Sequence, residues 1–132
     1  MTDSLDLRDL LVAISRMPED KRVCRDSVWY ESQKEHWIGW LLDYRSPGAY
    51  GRKVVSGRDA RFVYNHVVCP DLLLFLAKGS GVSEQLIRAA RAAARGAGTT
   101  QMAQSAAIRK HIPWEMVLAA LKSSGLLPRS AL

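Results

Sequence analysis

Apolar residues recur every three or four positions along most of this chain, which is the spacing of one face of an α-helix. The first run predicts a helix from Ser4 to Met17, with Ser4 as the N-cap and Pro18 as the stop. A longer run of aromatic and aliphatic residues predicts a second helix from Ser27 to about Arg45. The pattern therefore predicts two amphipathic helices in the first third of the sequence.

The segment 58–68 suits a strand by composition, because it is rich in Val, Phe and Tyr. Strand alternation, however, would place Arg61 on the same face as Val63 and Val67, whereas helical spacing groups the apolar residues. We therefore interpret this segment as a helix. The rest of the pattern, punctuated by Gly and Pro, predicts four more helices: Pro70–Lys78, Ser83–Arg95, Thr99 or Thr100 to His111, and Pro113–Gly125.

These seven segments, with no convincing pair of strands, predict an all-α fold, a compact helical bundle in a single domain. The chain has 132 residues, 48% of them hydrophobic, which is ordinary for one globular core. No apolar stretch approaches the roughly 20 residues that span a bilayer. The acidic first residues are unlike a secretory signal, and two cysteines are too few for a disulfide scaffold. We expect a cytoplasmic protein without membrane contact.

Charge divides the chain into two halves. Residues 1–44 carry a net charge of −3 and residues 45–132 carry +9, which gives the overall +6. We interpret these as an acidic helical half, residues 1–45, and a basic half, residues 52–125. An excess of positive charge in one half favours an anionic partner, nucleic acid first.

The boundary between two helices of the basic half carries a distinctive spacing. A small residue, Ala77, is followed four positions later by Gly81 and then by a hydrophobic residue, and Ile87 stands six positions after the glycine. This spacing resembles the helix-turn-helix of DNA-binding proteins, in which the small residue lets the helices cross closely and the glycine takes the turn. The resemblance covers residues 73–92, within a unit that spans 70–95.

The unit departs from the usual pattern of that family at two positions. Ser80 stands where an apolar side chain is usual. Gly79 weakens the end of the first helix by about 1 kcal/mol relative to Ala, and we expect it to stop that helix together with Gly81.

The resemblance implies that the second helix of the unit enters the major groove as a recognition helix. Gln85 and Arg88 are residue types that read adenine and guanine edges, whereas Arg91 and Arg95 suit phosphates. The arginines share one face, which we expect to lie opposite the inward side, and no acid follows Glu84 until Glu115. The predicted nucleic-acid-binding residues are Ser83, Glu84, Gln85, Arg88, Arg91, Arg95, Arg109 and Lys110, with duplex DNA as the partner.

A further set of motifs runs over roughly Trp37 to Leu121 and includes Val63-Tyr64-Asn65, Cys69-Pro70 and Ile112-Pro113-Trp114. It is similar to small proteins of phages and prophages. That setting implies a transcriptional regulator or, as an alternative, an anti-CRISPR-like inhibitor that binds a host or defence protein without catalysis. Helix-turn-helix units usually act in pairs, so a homodimer is a further expectation, although no residue marks a dimer face.

Metal binding and catalysis find little support in the sequence. His66 and Cys69 form an i, i+3 pair without a second pair of ligands. The carboxylates of the basic half are scattered, and Gly79-Ser80-Gly81 lacks the Lys-Ser/Thr of a phosphate loop. We therefore expect neither an enzyme nor a metal or cofactor site.

Three tryptophans, Trp29, Trp37 and Trp40, share the second predicted helix. They could form a stacking platform for single strands or a protein-binding hot spot. Alternatively they belong to the core, which is the interpretation we favour because a small domain needs that burial.

Overall fold

The computed structural model of this chain describes residues 5–17, 37–38, 41 and 59–131. Within them the chain forms helices and their connections and no strand, so the all-α prediction is confirmed. In chain order the helices are α1 (Leu7–Arg16), α2 (Ala60–His66), α3 (Pro70–Ser80), α4 (Glu84–Gly96), α5 (Gln101–His111) and α6 (Trp114–Ser124), followed by a 3-10 turn, Arg129–Ala131.

The second predicted helix, Ser27–Arg45, lies largely outside the described residues. Trp37, Ile38 and Leu41 are the described positions of that segment, and all three are helical. No helix in the described part of the chain has the length and apolar character needed to cross a membrane.

Four of the described helices begin at a side chain that accepts a hydrogen bond from a backbone N–H of the first turn: Asp6, Asp59, Ser83 and Thr100. Ser83 is the cap that the sequence predicted, and Thr100 is one of its two alternatives, Thr99 and Thr100. The predicted cap at Ser4 is wrong, because Asp6 Oδ1 accepts the N–H of Arg8 at 2.8 Å and α1 begins at Leu7.

The predicted end of α3 at Lys78 is also wrong. The helix continues through Gly79 and Ser80 and ends where Gly81 adopts φ +110°, a left-handed conformation that suits glycine. A Cβ on Gly79 would overlap Sδ of Met17, so this glycine serves close packing rather than termination. Ser80 is buried, but its hydroxyl donates to the carbonyl of Leu76 at 2.6 Å. This hydrogen bond satisfies the hydroxyl, so serine is tolerated where an apolar side chain is usual.

The core forms around α3, whose residues Leu72–Ala77 are all buried. Helices α5, α6 and α4 pack against α3, and α1 contacts α2. The N–H of Ala60 donates to the carbonyl of Leu5 at 2.7 Å, which holds the starts of α1 and α2 together. Trp37 is 1% exposed, with its ring centroid 6.5 Å from that of Phe75, so this tryptophan belongs to the core. Trp29 and Trp40 lie outside the described residues.

A second buried junction connects α2 to the start of α6. The hydroxyl of Tyr64 donates to the carbonyl of Ile112 at 2.6 Å, and its ring lies 5.6 Å from that of Trp114. Both aromatic side chains are almost completely buried. Burial raises the pKa of the Tyr64 hydroxyl well above its usual range, because the phenolate would lose its hydration.

Candidate nucleic-acid interface

The corner between α3 and α4 consists of three residues, 81–83. Val82 is buried within it, and its N–H donates to the carbonyl of Ala77 at 3.0 Å, which closes the end of α3. Ala77 and Ile87 are also buried, so the small residue of α3 and the aliphatic residue of α4 both face inward. The two helices thus pack through the positions that the sequence spacing singled out.

Helix α4 has one buried side, formed by Ile87, Ala90 and Ala94. At about 100° per residue, Arg88 and Arg95 project roughly a third of a turn away from the centre of that side. Both are exposed, Arg88 with 77% of its side chain, whereas Arg91 is half-buried. We call Arg88, Arg91 and Arg95 the arginine row. It lies along one flank of the exposed surface of α4, so the prediction that the arginines face directly away from the core is wrong.

The middle of the exposed surface of α4 carries mostly small side chains. Gln85 and Ala92 are exposed there, Ala89 and Arg88 are exposed about 50° to either side, and no atom of the described residues lies within 4 Å of a Cβ built on Gly96. Small side chains let a helix backbone approach another surface closely. This face therefore combines a narrow profile, one amide near the start of the helix, and cations along one edge.

One carboxylate, that of Glu84, lies at the beginning of the arginine row. Its Oε1 accepts from Nζ of Lys78, and its Oε2 lies 3.7 Å from Nε of Arg88. Lys78 stands in the last turn of α3 and Glu84 in the first turn of α4, positions where the helix dipoles favour a cation and an anion respectively. Among the described residues, no carboxylate lies within 4 Å of Arg91 or Arg95, so the row is neutralised only at its first member.

The first turn of α4 is capped as the sequence predicted. The hydroxyl of Ser83 accepts the N–H of Leu86 at 3.3 Å, and Ser83 itself is exposed. Ser83, Glu84 and Gln85 are thus placed together at the exposed start of the helix.

Arg109 has a different position from the other predicted arginines. It is half-buried on α5, and its Nη1 donates to the carbonyl of Val67 at 2.6 Å and lies 3.5 Å from that of Tyr64. These carbonyls are at the end of α2, where a guanidinium is favoured by the helix dipole. The structure therefore places Arg109 at the α2–α5 contact and leaves its neighbour Lys110 exposed.

The residues weighed as metal ligands do not assemble a site in the described part of the chain. The imidazole of His66 stacks on Phe62, with ring centroids 4.1 Å apart, and its Nδ1 lies 2.8 Å from the Phe62 carbonyl oxygen. Cys69 stands at the N-cap position of α3. No group of three His, Cys, Asp or Glu side chains with metal-binding geometry occurs among the described residues.

Sequence reasoning missed the contribution of Lys78. A lysine in the last turn of one helix and a glutamate in the first turn of the next are six residues apart, and the tight corner brings them into contact. That spacing across a predicted turn was the available signal.

Compared with protein-family models, with curated proteins and with solved structures, this chain matches none of them. The resemblances to helix-turn-helix units and to small phage proteins therefore depend on the motifs alone. The surface of α4 is the feature from which a function can be argued.

Proposed function

We propose that this protein binds duplex DNA and regulates transcription, with α4 lying in the major groove. The observation that carries the proposal is the exposed surface of α4, where small side chains run beside Arg88 and Arg95. The absence of acids between Glu84 and Glu115 and the overall charge of +6 support an anionic partner.

The dimensions of α4 suit that groove. A helix with its side chains is about 10–12 Å across, and the major groove is about 12 Å wide. Ala92 in the middle of the exposed face and Ala89 on its side away from Arg88 would let the helix enter deeply and contact thymine methyl groups. A helix with large side chains in the middle would be held further from the base edges.

The polar side chains of α4 divide between two tasks. Gln85, in the first turn and in the middle of the exposed face, is placed to pair with an adenine edge. Arg88 is one turn further along and can reach a guanine. Arg91 and Arg95 lie on the flank, where the phosphates of one strand would pass, so they position the helix without reading sequence.

Ala92→Glu tests the proposal directly, because it places a carboxylate in the middle of this face, one turn from Arg88 and Arg95. The matched control is Ala119→Glu, an exposed alanine of α6 that lies one turn from Glu115 and Lys122. Both variants change the net charge equally, and both should melt close to the original protein because each replaces an exposed helical alanine.

The measurement is fluorescence anisotropy with a labelled random-sequence duplex at about 50 mM salt. We expect Ala92→Glu to weaken binding by at least roughly tenfold and Ala119→Glu by less than about twofold. Equal affinities for the two variants, or no binding of the duplex by the unmodified protein, would contradict the proposal.

A further inference from the structure

Glu84 is an acid on a surface that is otherwise built for an anionic partner. It occupies the first position of α4, and its two carboxylate oxygens face different cations, Nζ of Lys78 and Nε of Arg88. Its side chain is 45% exposed, so solvent and any ligand of α4 can reach it. A helix that only had to attract phosphates would gain from a neutral residue here.

The carboxylate has a predictable electrostatic effect on any DNA that approaches. Phosphates repel it, and they must compete with it for Arg88, because a guanidinium already close to a carboxylate offers less to a second anion. A cation that is paired with a carboxylate of the protein also does not contact a phosphate, and so it releases no counterion from DNA. Glu84 therefore weakens binding to duplexes of every sequence.

The effect of Glu84 on binding changes from unfavourable to favourable where a base edge supplies a hydrogen-bond donor. In the major groove, the exocyclic amino group of cytosine donates to Glu or Asp, and the guanine paired with it accepts from Arg. Glu84 and Arg88 are one turn apart on the same row, so together they present an acceptor and a donor at the start of the helix. A G·C pair, or two neighbouring ones, offers the complementary set.

We propose that Glu84 is a specificity-determining residue of α4: it opposes phosphate binding by Arg88 on unrelated sequences and accepts from a cytosine amino group in the preferred site. This inference rests on the proposed DNA-binding function. Its ligand is the major-groove edge of a G·C pair.

Glu84→Gln tests the inference, because glutamine keeps the size and an acceptor oxygen but removes the charge. The matched control is Glu115→Gln on α6, whose carboxylate lies 3.4 Å from Nη2 of Arg61. Binding to a random-sequence duplex is followed across salt concentrations, and a randomised duplex library is enriched separately with the unmodified protein and with each variant. Thermal melting establishes that all three proteins are folded.

We expect Glu84→Gln to bind the random duplex about three- to tenfold more tightly, with a log–log salt slope steeper by about one, since Arg88 becomes available to a phosphate. Its enriched sequences should show a weaker cytosine preference than those of the unmodified protein and Glu115→Gln, because a neutral amide oxygen is a poorer acceptor than a carboxylate and the amide can also pair with adenine. If the unmodified protein binds duplex DNA and Glu84→Gln has the same affinity, slope and preference, the inference is wrong and the proposed function stands. A folded Glu84→Gln that binds more weakly also overturns it, because the carboxylate then supports only the α3–α4 corner. If the unmodified protein binds no duplex, the proposed function and the inference both fail.

Discussion

Arginine occupies two contrasting environments in this molecule. On α4, Arg88 and Arg95 are exposed along the flank of a helix whose outer face carries small side chains. On α5, Arg109 is half-buried and donates to the carbonyl of Val67 at the end of α2. The residue type and the helical context are the same, so the difference comes from what lies opposite each side chain. An arginine facing the carbonyl end of another helix stabilises the fold, whereas one facing solvent remains available to a partner.

Arg109→Ala should have the largest effect on stability. It removes a charge-assisted hydrogen bond at a half-buried site, which typically costs about 1.5–3 kcal/mol, whereas Arg95→Ala at an exposed site should stay within about 0.5 kcal/mol. Urea denaturation of the two variants measures the free energy of unfolding. Equal losses of unfolding free energy for the two variants would show that the two arginines do not differ in their contribution to the fold.

Tyr64→Phe examines the junction beside Arg109 and should have a somewhat smaller effect. The variant leaves the buried carbonyl of Ile112 without its 2.6 Å hydrogen bond, at a cost of about 1–2 kcal/mol near neutral pH.

The pH dependence of that loss follows from the raised pKa of Tyr64. In the folded protein the hydroxyl stays neutral, whereas in the unfolded chain it ionises near pH 10, so its contribution to stability is complete below that pH and declines as the pH rises above it. The difference in unfolding free energy between the original protein and Tyr64→Phe should therefore narrow between about pH 9 and pH 11. A constant difference over that range would show that the hydroxyl ionises equally in both states.

Much of the helical architecture could be predicted from the sequence, because helix periodicity and caps are local properties. The starts of α4 and α5 at Ser83 and Thr100 follow from residues within one turn. Features that depend on distant contacts could not be predicted. Gly79 was predicted to help stop the helix, yet it lies inside α3, where Met17 packs closely against it.

The candidate site shows the same division. The spacing of Ala77, Gly81 and Ile87 located the corner, and the one-turn intervals of the arginine row grouped its members. The contact of Arg109 with the end of α2 could not be predicted from the sequence, because the carbonyl that it contacts belongs to a residue 42 positions away. The flank position of the row was within reach: with Ile87 inward, a rotation of about 100° per residue places Arg88, Arg91 and Arg95 about 100°, 40° and 80° from it, so the expectation of an opposite face was wrong.

Arg95→Ala should have the smallest effect on stability, and its DNA binding provides the most direct test of the central claim. We measure the slope of log affinity for a duplex against log salt concentration, for the unmodified protein, Arg95→Ala and Arg109→Ala. We expect an affinity that falls steeply with salt, a slope shallower by about one for Arg95→Ala, and an unchanged slope for Arg109→Ala at temperatures where it is folded. Absence of duplex binding near 50 mM salt, or a slope that changes with Arg109 and not with Arg95, would contradict that claim.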